Sequence, residues 1–217
     1  MTTFGWPEFL FILRSAGWTL LLTAVAFAIG GLGGLVFAIM RVSTVAILRN
    51  VARGYILVIQ SIPALMVLYM SYYGLSIIGI ELPAFFAAAA SLAIYVSAYL
   101  AEIWRGCIEA VPRQQWEASS SLAMTRAQQF RYVIVPQALR ISLPPTVGFL
   151  VQLVKNTSIV SVVGFVELSR AGQLVNNATF LPFQVFPVVA AIYFAICFPL
   201  SRLSRHLERK LNVSGHN

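Results

Sequence analysis

Apolar residues fill this chain in five long blocks separated by short polar or basic stretches. Ser15 to Met40, Gly54 to Ile80 and Leu82 to Ala101 carry no charge; Phe183 to Leu200 carries none either, and Ile141 to Val166 contains only Lys155. A helix of ~20 apolar residues crosses a bilayer. The blocks therefore predict an all-α integral membrane protein with five spans, at 15–40, 54–80, 82–104, 142–166 and 183–201. Residues 1–14, with Trp6 ahead of Trp18, read as an interfacial helix leading into the first span. Arg41, Arg49 and Arg53 are expected to flank a short loop, and residues 171–184 to form an irregular polar connection.

Two blocks are interrupted. Gly30, Gly31, Gly33 and Gly34 let a second helix approach closely, or mark a bend. Gln60, Ser61 and Pro63 lie inside the second block, where Pro63 removes a backbone hydrogen bond and kinks the helix. Such a break survives in lipid only where protein or water satisfies the freed groups, so this span is expected to face the interior or a cavity.

Composition agrees with a membrane protein. Of the 217 residues 59% are hydrophobic and 10% charged, with no aspartate, whereas a soluble domain carries about 25% charged residues. The net charge of +8 is read as a topological signal rather than a nucleic-acid surface. Arg41, Arg49 and Arg53, the five arginines of 105–141, and Arg202, Arg205, Arg209 and Lys210 fall on one side; Arg14 and Arg170 fall on the other. That bias sets the 105–141 loop and the basic tail 202–217 in the cytoplasm and the N-terminus outside, which requires an odd number of spans. Cys107 and Cys197 are too differently placed to pair, His206 and His216 lie in the tail, and no cluster suggests a metal. The N-terminus shows no removable signal peptide.

The stretch from Arg105 to Leu143 is the one long polar segment. Pro112 suits a helix start. Thr125 with Gln128 makes a capping box that opens a second helix, on which Phe130, Val133 and Ile134 form an apolar face. Pro136 is expected to end that helix or to break the chain direction. Two short cytoplasmic helices with apolar knobs need a protein partner or lie on the membrane surface.

This loop resembles the EAA loop of ABC importer permeases of the type I fold: Glu-Ala-Ala, three residues, Gly, nine residues, Ile-x-Leu-Pro. Glu117, Ala118 and Ser119, then Ala123, then Val133, Val135 and Pro136 stand at that spacing. QSIPALMVLYMSYYG, AYLAEIWRGCIEAVPRQQWEA, VIVPQALR and KNTSIVSVVGFVEL resemble the polar amino-acid branch of the family. The resemblance implies one ABC transmembrane domain over residues 15–211 and a coupling helix lodged in a groove of a cytosolic ATP-binding subunit. Two copies of that subunit would bind ATP and magnesium, this chain holding no cofactor. A second permease chain would complete the path, and a periplasmic amino-acid-binding protein would deliver substrate across the bacterial inner membrane. Glu117 would be the polar anchor, Ala118 would keep the contact slim, and position 123 would be the turn. Ala123 replaces the family glycine, which adds roughly 1 kcal/mol if the turn needs positive φ and leans toward a sister chain as the second permease.

Lys155, in the middle of the fourth block, is costly in lipid and is expected to face a cavity or to pair with Glu167 or Glu102. Asn156, Thr157 and Ser158 beside it, with Gln60, Ser61 and Glu167, are the candidate substrate path. Glu102 and Arg105 read as a structural ion pair. No G-x-x-x-x-G-K-[ST] loop is present, so ATP hydrolysis belongs to another protein. An ion-driven carrier would show more spans and an inverted repeat. A lipid-modifying membrane enzyme would need a catalytic constellation, and none is visible.

Overall fold

A computed structural model describes residues 3–77, 79 and 81–212, and every described element is helical; His216 lies outside them. Helix α1 runs unbroken over Trp6–Val42, so the boundary expected at residue 14 is not a break. Pro7 fits its first turn, the Glu8 carboxylate accepts from the Gly5 amide at 2.9 Å, and nothing between Pro7 and Ser15 interrupts the coil.

The second block is two helices, α2 (Ala46–Ser61) and α3 (Ala64–Ile77), which meet at 103°. This is a corner rather than the expected kink, and its cause is local. Ile62 precedes a proline and is driven to φ −103°, ψ 132°, while Pro63 caps α3 with ψ 137°. Arg49 and Arg53 sit on α2 instead of flanking a loop, because α2 begins eight residues before the apolar block. A π-helical turn at Met70–Gly74 lies inside α3.

Helix α4 (Ala84–Glu109) is the centre of the bundle. Its buried face is mostly small: Ala87, Ala88, Ala89, Ser91, Ala93, Ser97, Ala98 and Ala101. Leu22 and Ala26 of α1, Leu68 of α3, and Phe149 and Leu153 of the later span close the main core around it. Helix α5 (Arg113–Ser121) and helix α6 (Arg126–Val163) follow, then α7 (Leu168–Thr179) and α8 (Pro182–Asn212). The connection expected to be irregular at 171–184 is therefore largely helical. Leu168, Ala171, Gly172, Val175 and Thr179 form a helical stripe that packs on α1 and α8. The asparagines and glutamine between them hide the stripe in the sequence.

Lipid gives helices no hydrophobic reason to associate, so close backbone approach and polar contacts have to do it. Helices α1 and α4 approach most closely at the glycines. A Cβ added at Gly30 would lie 2.6 Å from the Ala93 carbonyl oxygen and 2.6 Å from the Val96 Cβ. At Gly34 it would lie 3.1 Å from both the Ser97 oxygen and the Leu100 Cβ. The glycines thus serve packing, not a bend. Beside them Tyr55 reaches from α2 to the Ser97 hydroxyl at 2.6 Å and stacks on Phe37 at 4.0 Å. At the arginine-rich end, Trp104 Nε1 donates to Thr146 Oγ1 at 3.0 Å, joining α4 to α6. Gly30→Ala is expected to lower the melting temperature in detergent by the equivalent of about 1–3 kcal/mol, the range for overpacking. Gly17→Ala, where no atom lies within 4 Å, should leave it unchanged or raised; a thermal scan of both variants checks the contrast.

Candidate functional site

The polar stretch folds into α5 and the first turns of α6. The capping box forms as the spacing requires: the Gln128 amide donates to Thr125 Oγ1 at 3.4 Å and the Thr125 amide to Gln128 Oε1 at 2.9 Å. Between the helices the chain reverses at Ala123, whose φ is 55°. The Ala123 amide donates to the Ser120 carbonyl at 2.9 Å and the Met124 amide to the Ser119 carbonyl at 3.3 Å. These two bonds are a Schellman motif, in which the left-handed position is usually glycine. The turn does require positive φ, and alanine adopts it here with the strain expected of a Cβ.

Two expectations for this stretch fail. Pro136 does not end the second helix, which continues from Arg126 to Val163. The π-helical turn at Gln129–Ile134 widens the coil just before Pro136, making room for a ring that has no N–H to donate. The apolar knobs also need no outside partner, because they pair within the chain. Trp116 of α5 and Phe130, Val133 and Ile134 of α6 close on Ile108, Val111 and Ala138, with Ile134 and Val111 buried. Ser119 is buried there too, its hydroxyl donating to the Trp116 carbonyl at 2.9 Å. Val135 is half-buried and Pro136 exposed.

What projects from this knot is a small tip. Glu117, Ala118 and Ala123 are exposed, and Leu122 is 76% exposed. Leu122 escapes sequence reasoning because its spacing fits the helix face beside it. Only the Schellman geometry throws it outward.

The second cluster of candidates divides. Lys155 is exposed on the outside of this chain rather than in its core, and among the described residues it forms no ion pair with Glu167 or Glu102. Asn156 is half-buried and accepts from Gln152 Nε2 at 3.1 Å. Thr157 is buried and Ser158 half-buried; their hydroxyls donate back to the Val154 and Lys155 carbonyls, both at 2.7 Å. Here α6 tightens to a 3-10 helix over Thr157–Val163 and stops at Gly164, φ 82°. Gln60 and Ser61 are exposed at the α2–α3 corner, not interior, though Gln60 Nε2 reaches the Ala98 carbonyl of α4 at 3.5 Å.

Glu167 is fully buried and belongs to the scaffold in this conformation. Its carboxylate caps α7, accepting from the Ser169 amide at 2.9 Å and the Arg170 amide at 2.8 Å. It also accepts from Tyr193 of α8 at 3.1 Å and from Thr19 of α1 at 3.5 Å, while Thr19 Oγ1 receives the Leu168 amide at 3.1 Å. Three helices meet on one carboxylate. Thr19 and Tyr193 carry no motif that links them to Glu167 from sequence. Glu102 pairs with Arg105 as expected, but Arg41 of α1 also approaches it at 3.9 Å and Arg105 reaches on to Glu109.

Residues 30–213 match the family described as the binding-protein-dependent transport system inner membrane component. The chain belongs to that family. It is 35% identical over 203 residues to the probable amino-acid ABC transporter permease protein YckA of Bacillus subtilis, covering 94% of this chain and 90% of that protein. It is also 35% identical to the probable glutamine ABC transporter permease protein GlnM of the same organism, over 90% of this chain and 91% of that one. A crystal structure of an amino acid ABC transporter with histidines superposes with a TM-score of 0.88 at 40% identity, covering 92% of this chain and 94% of that one. The protein is thus a multi-pass permease subunit of an ABC importer with the type I fold, a pore component rather than an enzyme. It works with an ATP-binding subunit and a substrate-binding protein. The ion-driven carrier and the lipid-modifying enzyme are set aside by that membership.

Ala123→Gly should raise the thermal stability of the permease by about 1 kcal/mol, read as a higher melting temperature, while Ala123→Val should lower it. Glu167→Ala strips the α7 cap and leaves the Tyr193 and Thr19 hydroxyls without their acceptor. A loss of about 2–4 kcal/mol is expected, seen as a lower melting temperature. A substrate-binding role alone would leave melting unchanged and raise the KM for transport.

Proposed function

We propose that this permease carries a polar amino acid across a bacterial inner membrane by alternating access, coupled to ATP hydrolysis through the tip at Glu117–Ala123. The amino-acid assignment is supported by the relatives and by the 40% identical solved transporter. The coupling assignment is carried by one observation: the apolar faces of α5 and α6 are consumed within the chain, yet Glu117, Ala118, Leu122 and Ala123 remain exposed on a rigid tip. A carboxylate flanked by small and apolar side chains fits a groove that offers backbone amides or a basic group at its floor. The basic bias of that end sets the tip and the tail in the cytoplasm and the N-terminus outside.

Two ATP-binding subunits, each with its ATP and magnesium, would each receive one such tip. The second tip comes from a second permease chain; the strained Ala123 favours a sister chain that keeps the family glycine. Lys155, Asn156 and Ser158 then lie on the side of α6 that this second chain would complete into a path. A periplasmic amino-acid-binding protein loads the outer face. Reversing Glu117 tests the coupling. A reversed charge in a desolvated contact costs about 2–5 kcal/mol, so Glu117→Lys should cut transport and binding-protein-stimulated ATP hydrolysis by more than about ten-fold while the permease still reaches the membrane. Normal transport by that variant would sink the assignment.

A further inference from the structure

Helix α8 outruns its apolar block. The block ends at Leu200, but the helix continues to Asn212, about 18 Å farther at 1.5 Å per residue. Only 17% of its most apolar window is buried within the chain, against 67% for α4, so most of its surface faces outward. On one exposed face Phe194 and Phe198 stack at 5.0 Å. The Arg202 guanidinium lies over the Phe198 ring at 5.5 Å. Arg205 and Arg209 follow at helical spacing and are exposed. At 100° per residue all three arginines fall in a sector about 60° wide, directly above the stacked rings. A charge bias that only fixed orientation would not need them on one face.

Among the described residues no carboxylate pairs with Arg202, Arg205 or Arg209. The face cannot roll away, because Ser204, on another side of the helix, donates to the Pro144 carbonyl of α6 at 2.9 Å. Arg202 and Arg205 stand about 3 and 8 Å beyond Leu200, within the headgroup layer, which adds about 5–8 Å to each side of the hydrocarbon core. Apolar rings below and unpaired guanidiniums above, at that height, match the two halves of a lipid.

We propose that this face of α8 is a binding site for an anionic phospholipid, with an acyl chain along Phe194 and Phe198 and the phosphate between Arg202 and Arg205. Arg209 adds positive potential above the headgroup. A net negative lipid is selected because its headgroup charge is not cancelled by an amine. The site requires only that α8 crosses the bilayer, so it stands apart from the coupling proposal.

The test is native mass spectrometry of the permease together with its ATP-binding subunit, released from bilayers that contain phosphatidylglycerol and phosphatidylcholine with matched acyl chains. The wild type should retain phosphatidylglycerol in preference. Arg202→Gln and Arg205→Gln should each reduce that preference about five-fold, the worth of one basic residue near a charged bilayer surface. Phe194→Ala with Phe198→Ala should lower retention of both lipids. Arg49→Gln with Arg53→Gln removes two positive charges from α2, more than either α8 variant, and should leave the preference intact. Equal retention of the two lipids by the wild type overturns the proposal without any variant. So does an equal loss in the α2 control, which would mean a net-charge effect. Loss of a partner subunit in the α8 variants with lipid preference unchanged would make the face a protein interface instead.

Discussion

The structure depends on how closely α1 can lie against α4. Both helices are apolar on every side, and lipid would solvate either one as well as the other does. What ties them together is backbone proximity: with no Cβ at Gly30 or Gly34, the α1 backbone settles onto Ala93, Val96 and Ser97 at distances a side chain would forbid. The row of small residues on α4 lets the same helix receive α1 on one face and Phe149 and Leu153 of α6 on another. Overpacking at this contact would move every later element, because α2, α3 and α6 all rest on α4.

Polar contacts hold the two ends of that packed middle. At one end the Glu167 carboxylate gathers the N-terminus of α7, Thr19 of α1 and Tyr193 of α8. At the other, Arg41 and Arg105 share Glu102, Trp104 bonds Thr146 and Ser204 bonds Pro144. At Glu167, which is fully buried, a donor or acceptor left alone is costly because no water replaces it; the Glu102 cluster is partly exposed and weaker. Tyr55 and Gln60 tie α2 to α4 as well, through Ser97 and the Ala98 carbonyl, although the corner at Ile62–Pro63 leaves Gln60 and Ser61 exposed.

Five apolar blocks, the capping box at Thr125 and the Glu102–Arg105 pair were all legible, because each rests on composition or on spacing within one helix. The spacing from Glu117 to Pro136 also pointed to the family. What escaped was whatever depends on a neighbour. Trp116 and Phe130 read as knobs awaiting a partner, since one helix at a time cannot show that the two faces meet. Glu167 read as a path residue because a carboxylate at a span end looks functional until Thr19 and Tyr193, far away in sequence, are seen to donate to it. Pro136 read as a terminator because a π turn has no reliable sequence signal, and α7 was masked by Gln173, Asn176 and Asn177 among its apolar positions.

The continuity through Pro136 has a mechanical consequence. Because α6 does not break there, the face on which α5 and its exposed tip rest and the Lys155–Ser158 segment belong to one element of 38 residues. If the helix ended at Pro136, a push on the tip would be absorbed at the joint. As it is, Val133, Ile134 and Ala138 fasten α5 to the start of a helix that continues, with Pro144 and Pro145 inside it, to Asn156. There the coil tightens to 3-10, a poorer hydrogen-bonding geometry that seldom runs this long, and Gly164 ends it. On the proposed reading, a displacement at the coupling tip passes through the α5–α6 contact into α6, the helix that carries Lys155 and Asn156. The strained turn at Ala123 is then where the push enters, and the tightened coil at Thr157 is where α6 changes pitch beside those side chains.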